Sequence, residues 1–304
     1  MYNEETKKRF LEDGKDEGLN RNIESIFNKV EPYEERLNKD VSNFTFSEII
    51  DMYKTWNVKS LASLMSRNSW LSLYTIWIIQ QDLSVDGQNH YAEIDGKILK
   101  EHCINRIGLC ESIISQDQVY EWLRKLGSSR DQFIILSVFE AGKGIDFNLQ
   151  ATTKPEDVSE EGLHFENRII KISNRLRGII EECKKEQCFA PLDGKREKET
   201  ILIDNGYIYK LNPNASELDQ PARGRNVYSR LKKILKWLDV NDIVSTNSLV
   251  YSGMIHWVNS RATELGISGE EYVRKYASEL ENQYGYMERR KNIFLTRFSE
   301  FLVK

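Results

Sequence analysis

The sequence predicts a mainly α-helical protein with a small antiparallel sheet, divided into two domains. Apolar residues recur at helical spacing up to about residue 84 and again over 224–304. Runs rich in β-branched and aromatic residues are confined to the middle of the chain. The stretch DLSVDGQNHYAEIDGKI, with Asp-Gly at 86–87 and 95–96, reads as a loop between the two parts. We therefore expect a helical domain over 1–90, a linker over 91–100 and a mixed domain over 101–304.

Composition limits the class of protein. The chain has 304 residues, of which 40% are hydrophobic and 30% charged, and its net charge is -4. No apolar run reaches the roughly 18 residues that a membrane span needs, and the polar N-terminus does not look like a signal peptide. The four cysteines and four histidines lack the spacing of a zinc site. We expect a soluble cytoplasmic protein without metal, cofactor or membrane contact, whose acidic balance still permits a local basic face.

Two helices are predicted in the first domain, and the second has a distinctive surface. FTFSEIIDMYKTW has helical spacing and a cap at Thr45 or Ser47. VKSLASLMSRNSWLSLYTIWIIQQ combines an apolar stripe with a small, polar and cationic face, and it contains no acid. Small side chains permit a close approach to DNA, and Ser, Asn and Arg donate hydrogen bonds to phosphates. We expect DNA contacts here, with a solvated face as the alternative; the candidate residues are Lys59, Ser63, Ser66, Arg67 and Asn68.

The sheet is predicted from two stretches in the second domain. GLHFENRIIKI, residues 162–172, alternates enough to form a strand. ETILIDNGYIYKL, residues 199–211, predicts a hairpin, because Asn205-Gly206 readily supplies the positive φ values of a type I′ turn.

A basic segment follows in PARGRNVYSRLKKILKW. Six cations and no acid occur over 223–236. Gly224 leaves the backbone free to approach a phosphate, and the first two arginines are expected just before a helix, whose N-terminal amides bind anions. A solvated basic helix balanced by acids elsewhere is the alternative. The candidate DNA-binding residues are Arg223, Arg225, Arg230 and Lys233.

A single cation ends the apolar stretch IILSVFEAGKGID, residues 134–146. Lys143 lies between two glycines, directly after a helix that we expect to be buried. A cation on such a turn indicates an anion nearby, for example a phosphate. The alternative is a helix C-cap with a solvated lysine.

The order of these elements resembles the tyrosine recombinases, or phage integrases. The resemblance implies a two-domain clamp on duplex DNA, made of a helical core-binding domain and a mixed α/β catalytic-like domain. Lys143 stands where integrases carry their first catalytic arginine. The stretch SLVYSGMIHWVNSRATELG, residues 248–266, corresponds to the helix with the His-x-x-Arg box, and it has no such box.

The departures from the integrase pattern bear on catalysis. Strand transfer needs several cations around one phosphate, and a lysine copies the bidentate grip of arginine poorly. It also needs a tyrosine nucleophile, for which Tyr272, Tyr276, Tyr284 and Tyr286 are candidates. The resemblance, with these departures, implies an integrase scaffold that is not an enzyme.

Three stretches are similar to the MrpR family, the integrase-like master repressors of SPβ-type Bacillus phages. They are FEAGKG at 139–144, SGMI at 252–255 and IFNKVEPYEERLNKDVSNF at 26–44. This resemblance implies a transcriptional repressor that binds operator sites in double-stranded DNA, works in the host bacterial cytoplasm and maintains phage lysogeny. An antagonist protein or an inducer would relieve repression.

Two other functions stay open at the level of the sequence. The first is an active recombinase with a degenerate site. The second is a protein-interaction module without DNA binding, which the acidic pI of about 5.8 favours slightly. The apolar residues of MERRKNIFLTRFSEFLVK exceed what a lone surface helix needs, so this C-terminal helix either mediates self-association or packs within its own chain.

Overall fold

The computed structural model describes residues 2–14, 17–59, 61–189, 192, 200–213, 219–286 and 288–304. The chain is mainly helical with small antiparallel sheets, as predicted. It divides into two compact units, Met1–Leu109 and Cys110–Lys304, and each unit has its own hydrophobic core.

The regular structure of the N-terminal unit, in its described residues, consists of helices joined by loops. Of the two predicted caps, Thr45 begins α3 (Phe46–Thr55), in a capping box where the Glu48 carboxylate accepts a hydrogen bond from the Thr45 amide at 2.8 Å. A buried ion pair between Lys7 Nζ and Glu34, at 2.6 Å, fastens α1 to α2. The helices are α1 (Glu4–Asp13), α2 (Glu17–Leu37), α3 (Phe46–Thr55), α4 (Leu61–Gln80), α5 (Gly96–His102) and α6 (Arg106–Glu111), which crosses the boundary between the units.

Residues 91–100, where the sequence predicts a linker, are packed into the N-terminal unit. Tyr91, Ile94 and Leu99 are buried in its core, and the Tyr91 hydroxyl donates to the Val41 carbonyl at 2.8 Å. Asp95 caps α5, which begins at Gly96, whereas Asp86-Gly87 lies in a bend before the 3-10 turn His90–Glu93. The structure therefore puts the boundary between the units at Leu109–Cys110.

The C-terminal unit is built around α8, whose residues from Phe133 to Phe139 are all buried. Gly253 lets α12 approach α8 closely, because a Cβ atom there would lie 1.7 Å from the Phe139 carbonyl oxygen. The helices are α7 (Gln116–Lys125), α8 (Ser129–Ala141), α9 (Asn148–Thr152), α10 (Asn174–Lys185), α11 (Gln220–Trp237), α12 (Thr246–Leu265), α13 (Gly269–Lys275), α14 (Ala277–Tyr284) and α15 (Lys291–Phe298).

The sheets differ in detail from the prediction. The expected single strand over 162–172 is a hairpin of β1 (Leu163–Phe165) and β2 (Arg168–Ile170), paired antiparallel with Phe165 opposite Arg168. The predicted hairpin around Asn205-Gly206 is wrong. Instead β4 (Thr200–Ile201) pairs with β3 (Cys188–Phe189), and one bridge, Ile203 to Leu211, closes a wide loop.

The reason lies in the loop itself. Ile208 and Tyr209 are adjacent in sequence and both are about 1% exposed, which a strand with one buried face does not allow. The Ile208 amide donates to the Thr153 carbonyl at 2.9 Å, so the loop packs against the residue after α9 rather than pairing with a second strand.

The C-terminal segment packs within its own chain. Phe294, Phe298 and Leu302 are buried. The Asn259 side chain donates to the Phe301 carbonyl and accepts from the Val303 amide, both at 2.9 Å. The sequence leaves open self-association or packing within the chain, and the C-terminal helix of the structure packs within the chain.

Candidate nucleic-acid interface

The basic segment forms α11, which begins earlier than the sequence suggests. Asp219 caps the helix by accepting from the Ala222 amide at 2.9 Å, and Gln220 and Pro221 are its first residues. Arg223 and Arg225 therefore lie inside the first two turns and not before the helix. The buried face of α11 contains Val227, Leu231, Ile234 and Leu235.

The outer face of α11 carries a continuous row of exposed polar and cationic side chains. Arg225, Ser229, Lys232 and Lys236 are all exposed and follow one another at intervals of four, three and four residues. This spacing places them in one stripe, which extends for about 16 Å at 1.5 Å per residue. The exposed Lys233 lies beside it. We call these five residues the α11 stripe.

The α11 stripe is not neutralised. No acid occurs in the helix between Asp219, its cap, and Asp239, which follows it. Among the described residues, none of the four cations of the stripe forms an ion pair, whereas most other exposed lysines of the C-terminal helices do, such as Lys185 with Glu182. The stripe therefore keeps an uncompensated positive charge in a chain that is acidic overall.

Arg223, a predicted DNA contact, is a core residue. Its side chain is 4% exposed and donates from Nε to the Ala151 carbonyl at 3.0 Å and from Nη2 to the Tyr209 carbonyl at 3.2 Å. Its guanidinium lies 4.2 Å from the centre of the Tyr207 ring, and burial lowers its pKa. Arg223 thus ties α11 to α9 and to the 203–211 loop, so the predicted role is wrong.

Arg230 is likewise committed to the protein. It forms a bidentate pair with Asp131, from Nε to Oδ1 at 2.8 Å and from Nη2 to Oδ2 at 2.5 Å. Asp131, in the first turn of α8, is 1% exposed. Because the pair is neutral and fixes α11 on α8, Arg230 is a structural residue and not the predicted phosphate contact.

Lys143 is brought next to the α11 stripe through two aromatic rings. Its ammonium lies 5.4 Å from the centre of the Phe147 ring, and that ring lies 5.5 Å from the ring of Tyr228 on α11. The Lys232 ammonium lies 5.5 Å from the Tyr228 ring. The four side chains form a row, cation, ring, ring, cation, which extends the basic surface from α11 to the turn after α8.

The turn that carries Lys143 is backbone-strained. Gly142 and Gly144 have φ of 75° and 62°, and two successive non-glycine residues, Asp146 and Phe147, also adopt left-handed conformations. Such residues cost about 1–3 kcal/mol each and persist only where the surroundings hold them. Here α11 holds the turn, because a Cβ atom on Gly224 would lie 2.0 Å from the Asp146 carbonyl oxygen. Gly224 therefore serves this contact and not the predicted approach of a phosphate.

The DNA contacts predicted in α4 and just before it are only partly exposed to solvent. Asn68 is buried and is not a base-reading residue: it accepts from the Tyr53 hydroxyl and donates to the Tyr91 carbonyl, both at 3.0 Å. Ser66 is exposed, but its hydroxyl donates to the Ala62 carbonyl at 3.0 Å. Lys59, Ser63 and Arg67 are half-buried.

The fully outward face of α4 also differs from the expected polar and cationic surface. Met65, Ser69, Leu73 and Ile76 are exposed there, and none is charged. Of the predicted residues, Ser63 and Arg67 lie half-buried beside this face, and the Arg67 guanidinium lies 5.5 Å from the centre of the Trp56 ring.

Three of the four candidate tyrosine nucleophiles have hydroxyls that are already engaged. The Tyr272 hydroxyl donates to Glu279 at 2.8 Å, that of Tyr284 to the Phe139 carbonyl at 3.1 Å, and that of Tyr286 to the Arg290 carbonyl at 3.2 Å. Burial raises the pKa of Tyr272 and of Tyr286 to about 12. Tyr276 is half-buried and stacks on Tyr272, with ring centres 5.3 Å apart.

The helix that corresponds to the His-x-x-Arg box serves packing. Ser252 is buried and accepts from the Ile114 amide at 3.0 Å. Burial lowers the pKa of His256, which lies against the Phe139 ring at 5.9 Å. Arg261 pairs with Glu264 and, at 3.7 Å, with Glu279. These contacts do not gather cations around one point, as phosphoryl transfer requires.

The described residues give no sign of a metal centre or a membrane segment. No group of three or more His, Cys, Asp or Glu side chains among them is arranged to hold a metal ion. None of the helices described is both long enough and apolar enough to cross a bilayer.

Sequence reasoning missed residues that the structure shows to be central. Phe147 and Tyr228 connect Lys143 to α11, and Asp131 removes Arg230 from the surface. Lys232 and Lys236 complete the stripe, and their spacing from Arg225 was a readable signal for this.

Comparison with known proteins agrees with this architecture. The family model described as the MrpR N-terminal core-binding domain matches residues 1–80, and that described as the MrpR C-terminal catalytic domain matches residues 113–303. The SPbeta prophage-derived uncharacterized protein YopR of Bacillus subtilis (strain 168) is 25% identical over 281 residues, which cover 88% of this chain and 84% of that protein. The chain therefore belongs to the MrpR family of two-domain, integrase-like phage proteins.

Proposed function

We propose that this protein is a sequence-specific transcriptional repressor that binds operator sites in double-stranded DNA and maintains phage lysogeny. It would do so on an integrase-like scaffold without strand-transfer activity, in the cytoplasm of the bacterial host. The observation that carries the proposal is the α11 stripe. Four cations and a serine share one exposed helix face, and no carboxylate among the described residues pairs with these cations.

The stripe has the properties that a DNA backbone selects. A duplex carries one negative charge for about every 1.7 Å of its axis, so a cationic row of about 16 Å faces several phosphates at once. Ser229 adds a neutral donor among the cations. Lys143 extends the row at one side, held there by Phe147 and Tyr228. Lys59, Ser63, Ser66 and Arg67 remain candidate contacts of the N-terminal unit.

Three observations support a role without strand transfer. The resemblance to integrases puts a lysine, Lys143, where their first catalytic arginine is expected. The α12 helix carries Ser252 and Gly253, both of which pack against other elements, where the second arginine box is expected. The hydroxyls of Tyr272, Tyr284 and Tyr286 are occupied, and raised pKa values disfavour the phenolate nucleophile.

The experiment that tests the proposal is selection of fragments of the phage genome by the purified protein at two salt concentrations, followed by sequencing. We expect a short recurring motif that survives the higher salt, because base contacts add to the phosphate contacts that salt weakens. Broad enrichment that disappears at higher salt, or none at all, would contradict sequence-specific repression and favour a protein-interaction module.

The active-recombinase alternative is tested on the same motif. A nicked suicide substrate traps a covalent adduct if any tyrosine attacks the phosphate. We expect full binding and no adduct, and a trapped adduct would contradict the non-catalytic scaffold. An antagonist protein or an inducer is proposed to relieve repression, and self-association through the C-terminal helix would require α15 to leave its packing in cis.

A further inference from the structure

Two cations in the N-terminal unit share one tryptophan ring. The ammonium of Lys29 on α2 lies 5.1 Å from the centre of the Trp56 ring, and the guanidinium of Arg67 on α4 lies 5.5 Å from it. Trp56 directly follows α3 and is 7% exposed. Three helices therefore bring two positive charges to one aromatic side chain.

Two donors in this cluster have no acceptor. Trp56 Nε1 and Arg67 Nη1 are both buried, and no described residue accepts a hydrogen bond from either. Buried polar groups in folded proteins nearly always have a hydrogen-bond partner. Two donors without an acceptor on side chains that touch each other therefore call for an explanation. An acceptor from outside the chain would satisfy both.

The cluster also lacks a counter-charge. Neither Lys29 nor Arg67 forms an ion pair with a carboxylate among the described residues. Burial, and then the charge of Arg67, lower the pKa of Lys29, in keeping with the position of both cations beside one ring. An anion placed between them would relieve this repulsion, and the ring beneath would hold both cations in place.

We infer that Lys29, Arg67 and the indole N–H of Trp56 form a binding site for a phosphate oxyanion. A phosphate offers several acceptor oxygens, which suits a site made of an ammonium, a planar guanidinium and a neutral N–H donor. The identification of that group as a backbone phosphate of duplex DNA rests on the proposed function. It would give the N-terminal unit an anchor on DNA that is separate from the α11 stripe.

The first arm of the test measures DNA binding against salt concentration. Lys29→Ala and Arg67→Gln should each weaken binding to all sequences alike, and each should lower the salt slope by up to about one unit. The double variant should lower the slope by little more than one single variant, because both cations serve one phosphate. Trp56→Phe keeps an aromatic ring beside the cations, although a smaller one, and removes the indole N–H, so it should lower affinity several-fold and leave the salt slope unchanged.

The matched control is Lys8→Ala. Lys8 is an exposed cation of the same unit that already pairs with Glu4, so its loss should change neither affinity nor slope. DNA binding with unchanged slopes in Lys29→Ala and Arg67→Gln would overturn the site and leave the proposed function standing.

The second arm does not require DNA. Inorganic phosphate, compared with chloride at equal ionic strength, should raise the midpoint of thermal unfolding of the wild-type protein by about 2 °C at saturating concentration. This difference should vanish in the Lys29→Ala/Arg67→Gln double variant. If the wild type does not bind DNA but shows this effect, the oxyanion site stands and the proposed function fails; if phosphate has no specific effect either, the site is overturned as well.

Discussion

The helices α4 and α11 each contain a long stretch without an acidic residue, and each packs an apolar stripe into the core of its unit. Their outer faces differ. The α11 helix exposes Arg225, Lys232 and Lys236 in one row, whereas α4 exposes Met65, Leu73 and Ile76. The only charged residue of α4, Arg67, is half-buried on the flank beside Trp56.

The surface that a helix exposes therefore depends on which of its side chains are buried, and not only on which residues it contains. In α11, two of the six cations, Arg223 and Arg230, bond to groups within the protein, and the other four are exposed. In α4, Asn68, the polar residue best suited to read a base, is buried and bonds to Tyr53 and Tyr91. The following predictions test this division, from the largest expected effect to the smallest.

Loss of the inward-facing arginine should affect folding most. Arg230→Ala removes the bidentate partner of the buried Asp131 carboxylate and leaves it the longer contact with Arg130 at 4.0 Å, so we expect the free energy of unfolding to fall by about 3 kcal/mol. Urea unfolding measures this loss, and Arg225→Ala, on the exposed face, is the control and should change it by less than about 0.5 kcal/mol. Equal stabilities of the two variants would remove the distinction between the two faces of α11.

Charge reversal on the exposed face should affect DNA binding instead. Lys232→Glu/Lys236→Glu should weaken binding to the selected motif by roughly 100-fold or more, because attraction to phosphates becomes repulsion. Fluorescence anisotropy with labelled DNA measures the affinity. Arg274→Glu/Lys275→Glu on α13, which causes the same change in net charge, is the control and should have a much smaller effect. A similar loss in both would mean that overall charge and not the stripe determines binding.

In α4 the predicted base-reading residue should behave as a structural one. Asn68→Ala removes the partners of the Tyr53 hydroxyl and the Tyr91 carbonyl, so we expect a loss of about 1–3 kcal/mol in the free energy of unfolding. The preferred DNA sequence should stay the same in a repeated fragment selection. A changed preference with unchanged stability would restore Asn68 to the DNA interface. The control is Ser69→Ala: the Ser69 hydroxyl donates to the Met65 carbonyl within α4, so its loss should change neither quantity measurably.

The last effect appears only at high pH and concerns the buried Tyr272. Burial, helped by the hydrogen bond to Glu279, raises the folded-state pKa of Tyr272 to about 12, above the value of about 10 in an unfolded chain. A raised pKa means that this stabilisation is complete below pH 10 and is lost as the pH rises from about 10 to about 12. Comparing the wild type with Tyr272→Phe by unfolding across this range isolates the contribution, and parallel pH profiles would show that Tyr272 is not shifted.

Local pattern was sufficient for much of the fold. The 3.6-residue periodicity predicted α3, α4, α8 and the apolar face of α11, because a helix repeats its buried positions over a few turns. Capping chemistry gave the start of α3, where Thr45 and Glu48 are three residues apart. The pattern also gave the two-domain plan, with which the two matched family domains agree.

What local pattern did not give was long-range pairing. Arg230 bonds to a residue 99 positions away, Arg223 to one 72 away, and Asn68 to one 23 away. A cation run looks the same in sequence whether its members face a buried carboxylate or solvent. The predicted hairpin around Asn205-Gly206 is wrong for the same reason, because the Ile208 amide bonds to the Thr153 carbonyl rather than to a partner strand.

The measurement that tests the central claim most directly is the slope of log affinity against log salt concentration for the wild type and Arg225→Ala, on the selected DNA motif. Arg225 begins the α11 stripe and has no ion pair among the described residues. If the stripe contacts the DNA backbone, the variant should lose about 0.9 units of slope while its unfolding free energy stays the same. An unchanged affinity and an unchanged slope would show that α11 does not face DNA.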